Sequence, residues 1–553
     1  MSESGQFNQA RAGAGSLRAT AAAGRREKNK WWVLVAMVFG LFMPMLDSLV
    51  VNVALPTIHR KLGAGVSDLQ WIIDAYTLTF ASFMLSGGTL ADRFGRKKFF
   101  ILGLVVFTTG SLLCGLSSSI GELIAFRALQ GAGGSLLLPG SLAIISATFQ
   151  GRERGAAIGV WSAMSGVAVA VGPLIGGYLV QNVNWQSIFF INVPVGAVAV
   201  VLTSLVVADS RDLSRARRID PPGAVSGTLG LFFLVYATIE GNSKGWTSPL
   251  ILGSFALAAL LLVTFLWVEA RSDSPMLPLK LFSNPTLSAA IATAVAVFFA
   301  LFGMTFFMSL YLQNVIGYDP VATGIRMVPF TVMILLIAPV SGRLSDRYGS
   351  RWFMAGGTAV LAGGLALSLR MQASSGYLDV IFPAMVAMGA GMALTMAPLS
   401  SAVMSSAPPR LAGTASATQT TSQQVGGVFG IAVLGAVVTG AFKSDFPSWL
   451  ARAGLPARAV GTVSSRLGAA ASSGTLPAAA LRRLPAPARS LVLGAVHQSF
   501  VGALHDGLYV SIGFALLASA IAAIFVRTHV RGRAAAGEAM AEPERAKGAV
   551  VGA

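Results

Sequence analysis

The chain has 553 residues, of which 54% are hydrophobic and 11% charged, and its mean hydropathy is +0.70. A water-soluble domain carries about twice that charge, so a globular soluble protein is excluded and many membrane spans of about 20 residues are expected. The net charge of +18 would suit nucleic acid only with a basic soluble face and a reading motif; neither is present, and most Lys and Arg lie in tails and short loops, facing lipid headgroups.

Residues 1–30 are polar and basic (Arg25, Arg26, Lys28, Lys30) and read as a disordered cytoplasmic tail. The apolar run at 31–55 is too long for a signal-peptide core and no small-residue cleavage pattern follows it, so it reads as a retained span. Five further spans complete a six-helix half at 31–208. A charged linker at 211–220 leads to two more spans, 222–240 and 249–268, within an inserted segment at 209–270. A second six-helix half occupies 271–527, and a cytoplasmic tail 528–553. Within that half, 442–504 reads as a long outer loop of partial order, with an amphipathic helix at 489–504 lying along the headgroups. About 27 of the 40 Lys and Arg fall on the side that holds both termini, which makes that side cytoplasmic. The excess of Arg over Lys and the abundance of Ala hint at a bacterial, high-G+C source and hence the inner membrane. The single cysteine, Cys114, rules out an intrachain disulfide.

The segment GTLADRFGRK at 88–97 returns 254 positions later as GRLSDRYGSR at 342–351. A short basic loop that recurs between apolar runs marks two related halves, the construction of many secondary transporters. Six-helix halves would put the two copies six spans apart, yet eight lie between them. The pair at 222–268 is therefore the insertion.

These residues also carry a resemblance. GGTLADRFGRKK at 87–98 resembles the signature loop of the major facilitator superfamily. LDSLVVNVALP at 46–56, QWIIDAYTL at 70–78, RALQGAGG at 127–134, VGPLIGG at 171–177 and WQSIFFINVPVG at 185–196 resemble the fourteen-span drug:proton antiporters of that superfamily. The resemblance covers most of 31–527. It implies an all-α membrane protein with the major facilitator fold, two six-helix halves plus two inserted helices, which exports hydrophobic or amphipathic molecules in exchange for protons. It assigns Gly88, Asp92, Arg93, Gly95, Arg96, Asp346 and Arg347 to a cytoplasmic gate loop. Physically, Gly95 permits a tight turn, and the charged residues can form ion pairs that break and remake as the gate moves. Gly172, Pro173, Gly176 and Gly177 form the antiporter motif: small residues for close helix contact and a proline that kinks the span. Aligning GAGG at Gly131 with GAGM at Gly389 sets Ile431 opposite Pro173 and Met385 opposite Arg127, so coupling chemistry is expected in the first half.

At 1.5 Å per residue, Asp47, Asp74 and Arg127 fall in one outer layer of the bilayer. An isolated charge there costs about 2.5 to 3.5 kcal/mol on insertion scales, so pairing or a wet cavity is expected, and these three are the candidates for proton coupling. Phe42, Trp161, Phe306, Met308, Tyr311, Gln313 and Gln423 are candidate cavity-lining residues. GNSKG at 241–245 fits a nucleophile-elbow pattern but lies in a short loop between spans. GxxxxGK[ST] is absent, and four His with one Cys offer no evident metal cluster. The expected partners are thus a small-molecule substrate, protons and membrane lipids, with no enzyme activity, metal, cofactor or nucleic acid, in a monomer. Two rivals remain open. An uptake symporter would want buried polar groups in both halves, and a membrane sensor or enzyme would want a catalytic cluster or a soluble domain.

Overall fold

The computed structural model describes residues 3–149, 151–209, 220–272, 275, 277, 279–408, 411–476, 482 and 485–527. The expected tail at 528–553 and all of the expected linker but Asp220 lie outside the described residues. So do the side chains of residues 3–29 and of some helical positions, Gly88, Asp92 and Arg93 among them.

The first half is built from α1 (Glu3–Leu62), α2 (Val66–Phe94), α3 (Arg96–Leu116), α4 (Ile120–Thr148), α5 (Gly151–Asn182) and a sixth span in two pieces, α6 (Ser187–Phe190) and α7 (Asn192–Val206). The backbone expected as a disordered tail continues α1 from Glu3. A hairpin follows, α8 (Pro221–Lys244) and α9 (Pro249–Arg271). The second half comprises α10 (Pro285–Leu310), α11 (Pro320–Tyr348), α12 (Ser350–Ser368), α13 (Phe382–Ser406), α14 (Ala412–Arg452) and α16 (Ala486–Phe525), with α15 (Ala457–Ala471) between the last two. Among the described residues eleven of these spans are long and apolar enough to cross a membrane. Adding α2, α5 and α12 brings the long helices to about the fourteen expected.

Local chemistry sets the ends. α8 to α11 each start with proline in the first turn, where its missing N–H is no loss. The side chains of Asp220, Ser248, Asn284 and Asp319 cap them by accepting from the exposed backbone N–H groups. The turns inside the two repeated loops fall at Gly95 (φ +121°) and Gly349 (φ +89°), where a side chain would be strained.

Packing repeats with the sequence. α1 lies on α5 as α10 lies on α14, and α3 packs on α4 and α7 as α12 packs on α13 and α16. The halves meet through α5 with α11 and α2 with α14. α8 lies against α2 and α14 outside that seam, and α9 packs on α8. α9 turns Leu260 and Val263 outward, more than 60% exposed, as a lipid-facing surface requires.

The expected 442–504 loop is shorter in the structure. α14 continues to Arg452 because Phe442, Phe446 and Leu450 fall four residues apart and are buried. Val492, Val496, Phe500, Leu504 and Leu508 do the same for α16. Residues 489–504 are therefore the first turns of the last span, docked on the bundle rather than on headgroups. Within the connection that remains, 453–485, the chain turns inward at residues 471–474. Ala471 to Gly474 are buried. Asn314 donates to the Ser473 carbonyl (2.9 Å), and the Ser473 hydroxyl lies 3.1 Å from His59 Nε2.

Candidate functional site

The hydrogen bonds that join the halves cluster at the end away from the repeated loops. Ser309 donates to the Asn52 carbonyl (2.6 Å), Gln313 to the Val53 carbonyl (2.8 Å), and Gln70 to the Ile431 carbonyl (2.7 Å); the backbone N–H of Val321 donates to Gln181 (3.0 Å). α5 and α11 approach closely at Gly177, where a Cβ would stand 2.5 Å from the Pro320 carbonyl oxygen, and at Gly324, where one would stand 2.3 Å from the Pro173 carbonyl oxygen. Gly172 and Gly176 seat α5 on Leu49 and Val50 of α1. The antiporter-like motif thus packs α5 on α1 and closes one end of the molecule.

Beneath that closure lies a cavity between the halves. Met304, Met308, Met327, Met385 and Met388 line it, with Phe302 and Phe330. Hydroxyls and amides punctuate the wall at Ser48, Asn52, Thr77, Thr305, Thr331 and Gln424. Among the described residues Arg127 is the one charged residue on it.

Four helices converge on the ion pair that this arginine makes with Asp47. Arg127 Nη1 donates to Asp47 Oδ2 on α1 and to Gln130 Oε1 one turn along α4 (2.7 Å), while Nε donates to the Ile72 carbonyl of α2 (3.0 Å). The guanidinium lies 4.1 Å from the centre of the Tyr76 ring. Asp47 Oδ1 accepts from Gln130 Nε2 (2.9 Å) and from Asn192 Nδ2 at the start of α7 (3.4 Å). Asp47 and Arg127 are each at most 2% exposed. A buried ion pair is tolerated when its remaining lone pairs and protons are satisfied, and here they largely are.

Asp74 is treated differently. It is fully buried, and neither carboxylate oxygen has a hydrogen-bond partner among the described residues. It lies one helical turn beyond Gln70 and so on the face of α2 that meets α14. An ionised carboxylate there has nothing to offset its desolvation, whereas a protonated one costs far less. Of the three charges expected in one layer, the structure joins two and leaves the third in the seam between the halves.

The sequence singled out Arg127, Asp47 and Asp74 but missed Gln130 and Asn192. Both lie inside quoted motifs, RALQGAGG and FINVPVG, and only the fold shows that they complete the shell of Asp47. Of the expected cavity residues Met308 lines the wall. Phe306 and Tyr311 are wholly buried, with the Tyr311 hydroxyl donating to the Gln372 carbonyl (2.7 Å), and Gln313 serves the closure. Trp161 donates to Ser141 (3.0 Å), Gln423 Nε2 lies 4.0 Å from Met396 Sδ, and Phe42 packs against the main core, so Gln424 takes the place expected for Gln423. In the loops, a Cβ on Gly95 would meet Asp209 Oδ1 at 2.9 Å, and Arg96 begins α3. Asp346 accepts from Ser401 (3.1 Å), and the Arg347 guanidinium lies 5.3 Å from the Tyr348 ring. The side chains of Gly88, Asp92 and Arg93 lie outside the described residues.

Comparison with known proteins agrees with this architecture. The Major Facilitator Superfamily profile matches residues 37–431. The multidrug resistance protein Stp of Mycobacterium tuberculosis is 38% identical over 421 residues, which cover 76% of this chain and 78% of that protein. The tetracenomycin C resistance and export protein of Streptomyces glaucescens is 36% identical over 508 residues, 92% of this chain and 93% of that protein. Among solved structures, a bacterial homolog of the human lysosomal transporter Spinster, inward-facing and unoccupied, has a TM-score of 0.58 at 18% identity over 89% of this chain and 97% of that one. That is a likeness of fold.

Proposed function

This chain belongs to the major facilitator superfamily, and on that footing we propose that it exports hydrophobic or amphipathic small molecules, drugs and antibiotics among them, in exchange for protons. It is a multi-pass membrane transporter and not an enzyme. The names of its relatives, multidrug resistance and tetracenomycin C export, support the substrate reading. The observation that supports coupling is the contrast between two buried carboxylates, Asp47 paired with the cavity-lining Arg127 and Asp74 unpartnered in the seam.

The two halves rock about the central site. Parting the α2–α14 seam wets Asp74 from the outer side, where it takes up a proton, and the seam closes only on the protonated acid; the inward-open state then lets that proton leave to the cytoplasm. A proton reaching Asp47 frees Arg127 toward the cavity, so substrate and proton act on one layer. In a bacterial inner membrane with both termini and the repeated loops in the cytoplasm, the closed end faces outward and the cavity loads from within. Asp92, Arg93, Arg96, Asp346 and Arg347 then form the cytoplasmic gate. The voltage part of the driving force is about 2.3 kcal/mol per charge per 100 mV. The cavity and the ion pair lie within a single chain, so a monomer suffices.

The test uses everted vesicles from a host expressing the chain, energised to an acid interior that a pH-sensitive dye reports. Adding tetracenomycin C or puromycin should partly discharge the gradient, and a control host should show no discharge. Accumulation of either compound that persists after a protonophore would overturn the exchange.

A further inference from the structure

We propose that the central cavity selects flat aromatic molecules that are neutral or negatively charged and rejects permanent cations. This rests on the export reading and specifies its substrate class.

Among the described residues Arg127 is the one charged residue that lines the cavity. Its partner Asp47 is not on the wall, and the oxygens of Asp47 are engaged by Arg127, Gln130 and Asn192. Asp74 is not on the wall either. A cation entering the cavity therefore gives up its water and meets no carboxylate to replace it, while a positive guanidinium stands nearby. Burying such a charge unpaired is among the costliest events in a protein. Aromatic rings can stand in for a carboxylate around a quaternary ammonium when several enclose it. Here Tyr76 already carries Arg127 near its face, which leaves Phe302 and Phe330.

The same wall suits an aromatic sheet. Five methionines present polarisable thioethers that contact ring faces and edges and adapt to different outlines. The threonines and amides around them can meet phenolic or quinone oxygens. The repeat explains why the charge is single: Met385 occupies the position equivalent to Arg127, and both line the cavity. One half contributes the guanidinium and the other a thioether.

The test is binding to the full chain in nanodiscs, read by probe anisotropy against empty nanodiscs. Three probes share one ring system: 9-anthracenemethanol, anthracene-9-carboxylate and (9-anthracenylmethyl)trimethylammonium. The alcohol and the carboxylate should bind with dissociation constants within about fivefold of each other, and the ammonium at least about tenfold more weakly. Gln424→Glu keeps the side chain's shape and adds a carboxylate to the wall; it should strengthen ammonium binding and weaken carboxylate binding, each by about fivefold or more. Equal or tighter binding of the ammonium by the unmodified chain, no binding of any probe, or an unchanged order in Gln424→Glu would each overturn the proposal. No gradient is applied, so loss of proton exchange in vesicles would count against the export reading and leave this result standing.

Discussion

Lys97 and Arg351 stand 254 positions apart, and each donates to a backbone carbonyl on the last helix of its own half, Ser204 for Lys97 and Ala523 for Arg351, both at 2.7 Å. The repeat is thus structural as well as textual. Each bond ties the third helix of a half to its sixth, at the repeated-loop end. Arg351→Met should cost about 1.5 to 3 kcal/mol, the usual range for a hydrogen bond with a charged donor. Lys97, more exposed, should cost less. Thermal unfolding in detergent, followed by loss of monodisperse protein, would measure the difference, and a larger effect at Lys97 would contradict it.

Removing one member of the Asp47–Arg127 pair leaves the other buried and uncompensated, at about 3 to 5 kcal/mol. Arg127→Ala should therefore lower both the protein level and export, and Arg127→Lys should retain part of each by keeping the charge without the fork. The double variant Asp47→Asn, Arg127→Gln removes both charges. It should recover stability yet not uphill efflux, because nothing in the pair can then cycle a proton. Efflux normalised to protein level separates the two effects, and full proton-driven efflux by the double variant would place coupling elsewhere.

Asp74→Asn presents a sharper case. The amide resembles the protonated acid in shape, so the seam should close normally and substrate should still bind. Uphill efflux under an imposed pH gradient should fall at least about tenfold, while exchange of substrate for substrate across the same membrane continues. Undiminished uphill efflux would show that Asp74 has no part in the cycle.

Orientation can be read by labelling. In a Cys114→Ala background, a cysteine at Arg458, exposed on α15, should react with an impermeant maleimide in intact cells, and one at Lys98, exposed beside the first repeated loop, should not. Labelling of Lys98→Cys alone would reverse the assigned orientation.

Much of this architecture was legible because spans, repeat and insertion are written in hydropathy and spacing. The matching roles of Lys97 and Arg351 follow from one offset. Sites were harder. Rise per residue set the depths of Asp47, Asp74 and Arg127, but depth says nothing of azimuth, and azimuth decides that Arg127 meets Asp47 while Asp74 faces α14. The same limit explains Gln424 in place of Gln423, since one residue turns a helix position by about 100°. The 489–504 segment failed for another reason. Its apolar stripe fits a headgroup surface or a protein surface equally well, and only the neighbouring Phe307, whose ring centre lies 6.4 Å from that of Phe500, shows which surface it meets.

The turn at Ser473 belongs to none of the spans, yet it is wedged where His59 of the first half meets Asn314 of the second. The corresponding connection in the first half, residues 183–186, is too short to reach across. Only one half, then, carries a turn that touches both sides of the joint, and parting the joint there breaks its contact with one side or the other. Cycle frequency can in this way be set by a segment that touches neither cargo nor proton. Substitutions at Ser473 should register in turnover rate and leave apparent affinity nearly unmoved, as transport measured across a range of substrate concentrations would show.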